Sequence, residues 1–118
     1  MNGLSRILAA VILLPLALPA SYQLLDRTPI CEIQGDSFNP THLGQTVRVR
    51  GVVFADLDQT SQKGLFIQEI NCDSRTYTSD GIYVYLGEQI DVAAVGDRVD
   101  VTGVVQEYYG MSEIAASP

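Results

Sequence analysis

Two stretches of the chain carry the same pattern, G-Q-T-V-R-V-R-G-V-V at 44–53 and G-D-R-V-D-V-T-G-V-V at 96–105. Each has a turn glycine, then valines that alternate with polar residues, then a second glycine and two more valines. Successive side chains of a β-strand point to opposite faces, so the alternation predicts two half-buried strands. A glycine inside a strand marks a bulge or a sharp bend, which Gly51 and Gly103 would supply. Two long, bent strands are what a small closed barrel requires, although other β domains also contain amphipathic strands of this kind.

Three shorter alternating stretches follow the same rule, and polar segments connect them. The predicted strands are 46–55, 64–70, 81–87, 96–107 and 111–115. The side chains expected inside are Val47, Val49, Leu65, Ile67, Ile82, Val84, Leu86, Val99 and Val101. No helix of credible length interrupts the strands, and 30–35 is too short to assign to either type. The pattern therefore predicts an all-β chain folded as a small five-stranded antiparallel β-barrel.

Length and charge limit the classes of protein to consider. The chain has 118 residues, which suits one small domain, and its formal net charge is -7. An acidic domain repels a phosphate backbone, so any contact with nucleic acid would need a local basic or aromatic patch. A single histidine argues against a His-based catalytic triad and against a site with several histidine ligands.

The first 20 residues have the build of a secretory signal peptide. Arg6 supplies a positive start, 7–14 is an uninterrupted apolar run, and a cut between Ala20 and Ser21 places a small residue before the bond. An uncleaved membrane anchor is the alternative, but the run is shorter than the roughly 20 residues of a spanning helix. We therefore predict a signal at 1–20, a spacer at 21–29 and the barrel domain at 30–118. The expected location is secreted or extracytoplasmic, with membrane anchoring as the alternative.

Cys31 and Cys72 are the two cysteines of the chain. A lone pair in an exported protein most often forms a disulfide, and free buried thiols are the alternative. The closed loop would hold about 40 residues, which the chain-entropy estimate makes worth roughly 4 kcal/mol. Two cysteines by themselves do not supply the four ligands of a structural zinc site.

A candidate nucleic-acid-binding face lies on the second and third predicted strands. Phe66, Gln68, Tyr83 and Tyr85 share the outer face there if the core prediction holds. Aromatic rings on such a surface stack bases or sugars. The alternative is that these rings are ordinary strand residues, since tyrosine and phenylalanine are enriched in strands for packing reasons.

Two arginines of the first strand extend this hypothesis. Arg48 and Arg50 lie on its outer face and would supply phosphate contacts. If the two repeated strands pair with each other, however, Arg48 or Arg50 would lie beside Asp100 in a cross-strand ion pair.

Metal binding and catalysis find less support in the sequence. Asp73 and Asp80, in a polar loop, are a weak calcium candidate, but their spacing fits no EF-hand and such loops are usually solvated turns. Acidic residues in turns and on outer strand faces, with His42 in a loop, form no acid–base pair. We expect no catalytic residues, no cofactor and no other metal site.

Several pieces of the chain occur in a characteristic order. They are I-C-E-I-Q-G (30–35), G-Q-T-V-R-V-R-G-V-V-F-A-D (44–56), G-L-F-I-Q (64–68), T-S-D-G-I-Y-V-Y (78–85), V-G-D-R-V-D-V-T-G-V-V-Q-E-Y-Y-G (95–110) and S-E-I (112–114). With these pieces, Ile30–Ile114 resembles the OB-fold domain that precedes the catalytic domain in bacterial extracellular nucleases. The resemblance implies an OB-like barrel with a non-catalytic role beside a secreted nuclease, whose catalytic part has no counterpart in these 118 residues.

Two functions are consistent with these observations. The first is an exported OB-fold module that is accessory to an extracellular nuclease and binds nucleic acid weakly or contacts the nuclease domain. The second is a structural or protein-interaction module at the cell surface with no nucleic-acid ligand.

Overall fold

The computed structural model describes residues 25–34, 41–70, 72 and 80–116, together with the backbone of 5–7. The elements in these ranges are β1 (Ser5–Ile7), α1 (Ile30–Gln34), β2 (Thr46–Leu57), β3 (Gly64–Gln68), β4 (Gly81–Tyr85), β5 (Arg98–Tyr108) and β6 (Met111–Ala116). Most of the predicted signal peptide and the calcium candidate Asp73 lie outside the described residues. Within the described ranges, no helix has the length and apolar character needed to cross a membrane.

Strands β2 to β6 close into a barrel. Their order is β5-β2-β3-β4-β6, and β6 pairs back onto β5. The closed, five-stranded, OB-like barrel expected from the sequence is therefore confirmed. One pairing, between β4 and β6, is parallel, and the other four that close the described barrel are antiparallel. An odd number of strands cannot alternate in direction all the way around a ring, so one parallel pair is unavoidable. The short β1 adds to the outside of β5 in parallel.

The twinned strands β2 and β5 pair with each other and then exchange partners. Residues 46–52 of β2 pair with β5, and 52–57 pair with β3. Likewise β5 changes from β2 to β6 near Gly103. A Cβ on Gly103 would lie 2.5 Å from the carbonyl oxygen of Ala115, and one on Gly51 would lie 2.8 Å from that of Gln68. The two repeated glycines thus allow the close approach of a neighbouring strand where each long strand changes partner.

The predicted core is the observed core. Each of the strand residues expected inside is at most 4% exposed. The register places Val47 opposite Gly103 and Gly51 opposite Val99, so the glycine inside each strand faces a valine of the other copy. One irregularity interrupts β2, where the register shifts between Val53 and Ala55. Phe54 lies at this bulge on the outer face, as the alternation along 46–53 requires, and is 47% exposed.

Helix α1 covers the end of the barrel at which β3 finishes and β4 begins. Ile30 and Ile33 are fully buried there. The Ile30 amide donates to Glu69 Oε1 at 3.0 Å, and Gln34 Nε2 donates to the Gly81 carbonyl at 2.5 Å. The stretch too short to assign from sequence is therefore a single helical turn whose apolar side closes the core.

A disulfide fixes this helix to the segment after β3. Cys31 and Cys72 are joined, with their Cα atoms 5.9 Å apart and 41 positions apart in the chain. The Cys31 amide also donates to the Cys72 sulfur at 3.1 Å. The sequence-based pairing of the two cysteines is confirmed.

The opposite end of the barrel is closed by the connection between β4 and β5. Asp58, only 1% exposed, accepts hydrogen bonds through Oδ2 from the Val92 amide at 2.8 Å and the Ala93 amide at 3.3 Å. Its carbonyl accepts a third from the Ile90 amide at 3.1 Å. A buried carboxylate supported by backbone donors thus anchors this connection and lets Ala93 reach the core.

Candidate functional site

A row of four outward-facing side chains crosses four neighbouring strands of the barrel. Phe66 of β3 is in register with Tyr83 of β4, Tyr83 with Glu113 of β6, and Glu113 with Gln106 of β5. Side chains directly opposite on one face of a sheet contact each other. The Phe66 and Tyr83 rings lie 4.8 Å apart between centroids and are tilted, which is a favourable aromatic geometry.

This row lines a pocket of about 380 Å³ on the outside of the barrel. One side comes from the β2–β3 connection, which contributes Gln62 and Lys63, and the other from the β5–β6 hairpin, which contributes Tyr108 and Met111. Tyr85 also lines it, two residues along β4 from Tyr83. The volume falls at the lower end of the roughly 300–1,000 Å³ typical of ligand pockets, so one ring-sized group with its substituents fits.

The predicted aromatic face is divided by the structure. Phe66, Tyr83 and Tyr85 line the pocket together, whereas Gln68 is exposed and does not line it. Tyr85 is 37% exposed, but Tyr83 is only 7% exposed and its hydroxyl donates to the Gln62 carbonyl. Tyr83 is therefore a fixed part of the pocket floor, and Tyr85 presents a ring to an incoming ligand.

The hydroxyl of Tyr83 stays protonated in this setting. Burial, followed by the nearby charge of Glu113, raises the pKa of Tyr83 above its usual value. A protonated hydroxyl keeps its bond to the Gln62 carbonyl, so the β2–β3 connection stays tied to the pocket floor.

The two predicted phosphate-binding arginines lie elsewhere. Arg48 donates through Nε and Nη2 to the two carboxylate oxygens of Asp100 at 2.8 and 2.7 Å, and Arg50 donates to Oδ2 at 3.0 Å. The cross-strand ion pair, which the sequence left open as the alternative, is thus present. Neither arginine lines the pocket.

This cluster makes the stability of the barrel sensitive to acid. Burial would raise the pKa of Asp100, but hydrogen bonds from Arg48 and Arg50 outweigh it, and the pKa lies below its usual value. A lowered carboxylate pKa gives stabilisation that is complete above the unfolded value of about 3.9 and disappears as the pH falls through the folded value.

We expect Asp100→Asn to lower the free energy of unfolding at pH 7 by about 2 kcal/mol, the usual worth of hydrogen bonds to a charged group. The difference from the parent should shrink in urea titrations at pH 3, because the stabilisation from a lowered carboxylate pKa begins to be lost below the unfolded value of about 3.9. A deficit of equal size at both pH values would contradict an electrostatic origin. Asp91→Asn, on the exposed connection before β5, is the control for removing one negative charge.

Several pocket residues were not found from the sequence. Lys63, Gln106, Tyr108, Met111 and Glu113 all line it. Glu113 is 4% exposed although it lies on the outer face of β6. In a tight hairpin around the Tyr109-Gly110 turn, residue 108 pairs with 111 and residue 106 pairs with 113. Recognising this turn in the sequence would therefore have placed Gln106 beside Glu113.

The remaining candidates do not converge on the pocket. The Cys31 and Cys72 sulfurs and an Asp80 carboxylate oxygen lie within 4.8 Å of one another, but sulfurs joined in a disulfide are not thiolate ligands. His42 lies near α1, with Nε2 2.7 Å from Glu32 Oε2. Asp80 and His42 are absent from the pocket lining.

Comparison of the chain with protein-family models, with curated proteins and with solved structures finds no match.

Proposed function

We propose that this chain is a non-catalytic binding module that stacks a base of single-stranded nucleic acid in the pocket, weakly, and acts as an accessory to an extracellular nuclease. The position of the pocket supports the binding role. OB-folds bind oligonucleotides on the face of their second and third strands and the adjoining loops. In this barrel those strands are β3 and β4, and the pocket lies over Phe66, Tyr83 and Tyr85 of these strands.

The observation that carries this proposal is the pair of exposed rings at the pocket. Tyr85 is 37% exposed and Tyr108 is 58% exposed, on different strands but in one pocket. Every base has a flat face, so stacking tolerates any sequence and contributes about 1–3 kcal/mol for each base. Two rings in one pocket of this volume suit one base and its sugar.

Charge keeps the affinity low. The net charge of the chain is -7, and Lys63 is the cation that lines the pocket, while Arg48 and Arg50 are engaged by Asp100. Few phosphates are neutralised in such a complex, so the counterion-release contribution is small. We expect dissociation constants in the micromolar range or weaker and a shallow dependence on salt.

The accessory and exported parts of the proposal have separate support. The resemblance of Ile30–Ile114 to the OB domain of extracellular nucleases motivates the partner. The apolar run at 7–14 motivates export, and the disulfide between Cys31 and Cys72 suits an oxidising compartment.

Titration of a labelled single-stranded oligonucleotide at low salt tests the binding role. Replacing Tyr85 and Tyr108 together by alanine should weaken binding at least tenfold, because both stacking surfaces are lost. Gln68→Ala, on the exposed part of β3 outside the pocket, should leave binding unchanged. Far-ultraviolet circular dichroism checks that each variant retains the barrel.

A parent that binds no better than the double variant would contradict the proposal. The protein-interaction function would then take its place, since Tyr108 is 58% exposed and Tyr109 is 92% exposed, and the two rings lie 4.6 Å apart at the tip of the hairpin. Binding lost equally in Gln68→Ala would place the site along β3 and not in the pocket.

A further inference from the structure

We propose that the pocket selects guanine and that the Glu113 carboxylate is the group that recognises it. This inference rests on the proposed function, because it names the base that the pocket takes. It starts from an unusual placement. Glu113 lies on the outer face of a barrel strand, where a carboxylate is ordinarily hydrated, yet the residue is 4% exposed and lines the pocket.

Packing by its neighbours shields Glu113. Tyr83 is in register with it on β4, and Gln106 is in register with it on β5. Gln106 donates through Nε2 to Glu113 Oε2. A carboxylate accepts about four hydrogen bonds, so this one donor among the described residues leaves most of that capacity for a ligand. Burying a charged group without full hydrogen bonding is costly, and a ligand with N–H donors would relieve that cost.

The chemistry of the bases then decides between them. Guanine presents two adjacent donors, N1–H and the 2-amino group, with no acceptor between them, and both can bond one carboxylate. Adenine and cytosine place a ring-nitrogen acceptor beside their amino group, and thymine flanks its N3–H with two carbonyl oxygens. Those acceptors would face the oxygens of Glu113 and repel them, since an ionised carboxylate only accepts hydrogen bonds.

The rest of the pocket complements the remaining groups of guanine. The O6 atom of guanine is an acceptor, and the Lys63 ammonium, which lines the same pocket, carries three donors. Tyr85 and Tyr108 supply ring faces for stacking. The net negative charge of the domain disfavours contacts with phosphate. Recognition of guanine by a carboxylate is compatible with that charge, because it contacts the base and not the phosphate backbone.

The test uses short oligothymidines in which one central base is varied, so that length and phosphate charge stay constant. With the oxidised full-length protein at low salt, a central guanine should bind about tenfold more tightly than adenine, cytosine or thymine, the scale expected for a bidentate base contact. Hypoxanthine lacks the 2-amino group and 1-methylguanine lacks the N1–H. Each should lose most of the preference, and these ligand changes do not depend on whether a variant folds.

Protein variants provide the second arm. Glu113→Gln should remove the preference for guanine, because the amide replaces one acceptor oxygen by a donor. Glu107→Gln, on the exposed part of β5 and outside the pocket, removes the same charge and should keep the preference.

The outcomes separate the two proposals. Equal affinity for all four central bases, with binding that still depends on Tyr85 and Tyr108, overturns the guanine assignment and leaves the proposed function standing. A guanine preference that survives in Glu113→Gln overturns the role given to Glu113. Absence of binding to every oligonucleotide overturns the proposed function and this inference with it.

Discussion

Replacing Cys31 and Cys72 by alanine is expected to lower the free energy of unfolding by about 4 kcal/mol. The bond closes a loop across 41 positions, and without it the unfolded chain regains the freedom that the loop removed. The native state loses a tether as well, since Cys31 lies in the helix whose Ile30 and Ile33 close one end of the core. Equilibrium unfolding in urea, followed by tyrosine fluorescence and circular dichroism, measures the difference.

The parent protein serves as its own control in this experiment. Unfolded in the presence of a reductant, it should show the midpoint of the double variant, and the reductant should not shift the variant itself. If the free energies of unfolding of the oxidised parent and the double variant differ by less than about 1 kcal/mol, the disulfide adds little to the stability that the contacts of α1 already provide. Non-reducing thiol labelling of the native protein should find no free thiol.

Gly103→Ala is expected to destabilise the barrel by about 3 kcal/mol, at the upper end of the range for overpacked cores. The new Cβ would lie 2.5 Å from the Ala115 carbonyl oxygen and 2.6 Å from Ile114 Cγ2. The first of these atoms belongs to the backbone of β6, so the clash can be relieved only by moving the strand that closes the barrel. Thermal and urea unfolding at pH 7 give the change in stability.

Two further substitutions provide comparisons for the loss of stability in Gly103→Ala. Val104→Ala alters the adjacent side chain, which is 39% exposed, and should change stability by less than about 1 kcal/mol. Gly51→Ala brings its Cβ to 2.8 Å from the Gln68 carbonyl oxygen and should be costly, but less so than Gly103→Ala. If Gly103→Ala is no worse than Val104→Ala, the close approach of β5 and β6 is not what requires glycine.

Sequence reasoning succeeded where the signal was local. The alternation of valine with polar residues placed Val47, Val49, Val99 and Val101 inside because side-chain direction in a strand depends only on position parity. It did not predict the bulge at Phe54, since a bulge is defined by the pairing with β3 and not by β2 alone. The turn residues gave the five barrel strands to within two residues at most of their ends.

Part of the candidate site was predicted, because some of its residues follow from local patterns and others do not. Phe66, Tyr83 and Tyr85 were found because they lie on strands joined in an ordinary antiparallel pair. The contribution of Glu113 depends on the parallel register that sets it beside Tyr83, and no local pattern encodes that register. Glu113 lies on the outer face of β6, and the neighbouring strands make that position a buried one.

The exchange of partners by β2 and β5 also governs how quickly the protein can fold. The hairpin β5-β6 turns within two residues and the meander β2-β3-β4 has connections of 6 and 12 residues, but the β2–β5 ladder joins residues such as Arg50 and Asp100, which are 50 positions apart. Pairing between residues so far apart in the chain costs loop-closure entropy before the strand contacts can stabilise it. Barrels with high contact order therefore fold in milliseconds to seconds. The disulfide spans neither β5 nor β6, so oxidation leaves that step as slow as before. Until the ladder forms, the two valine-rich strands remain unpaired along their edges, and this interval is when a chain of this design is most exposed to aggregation.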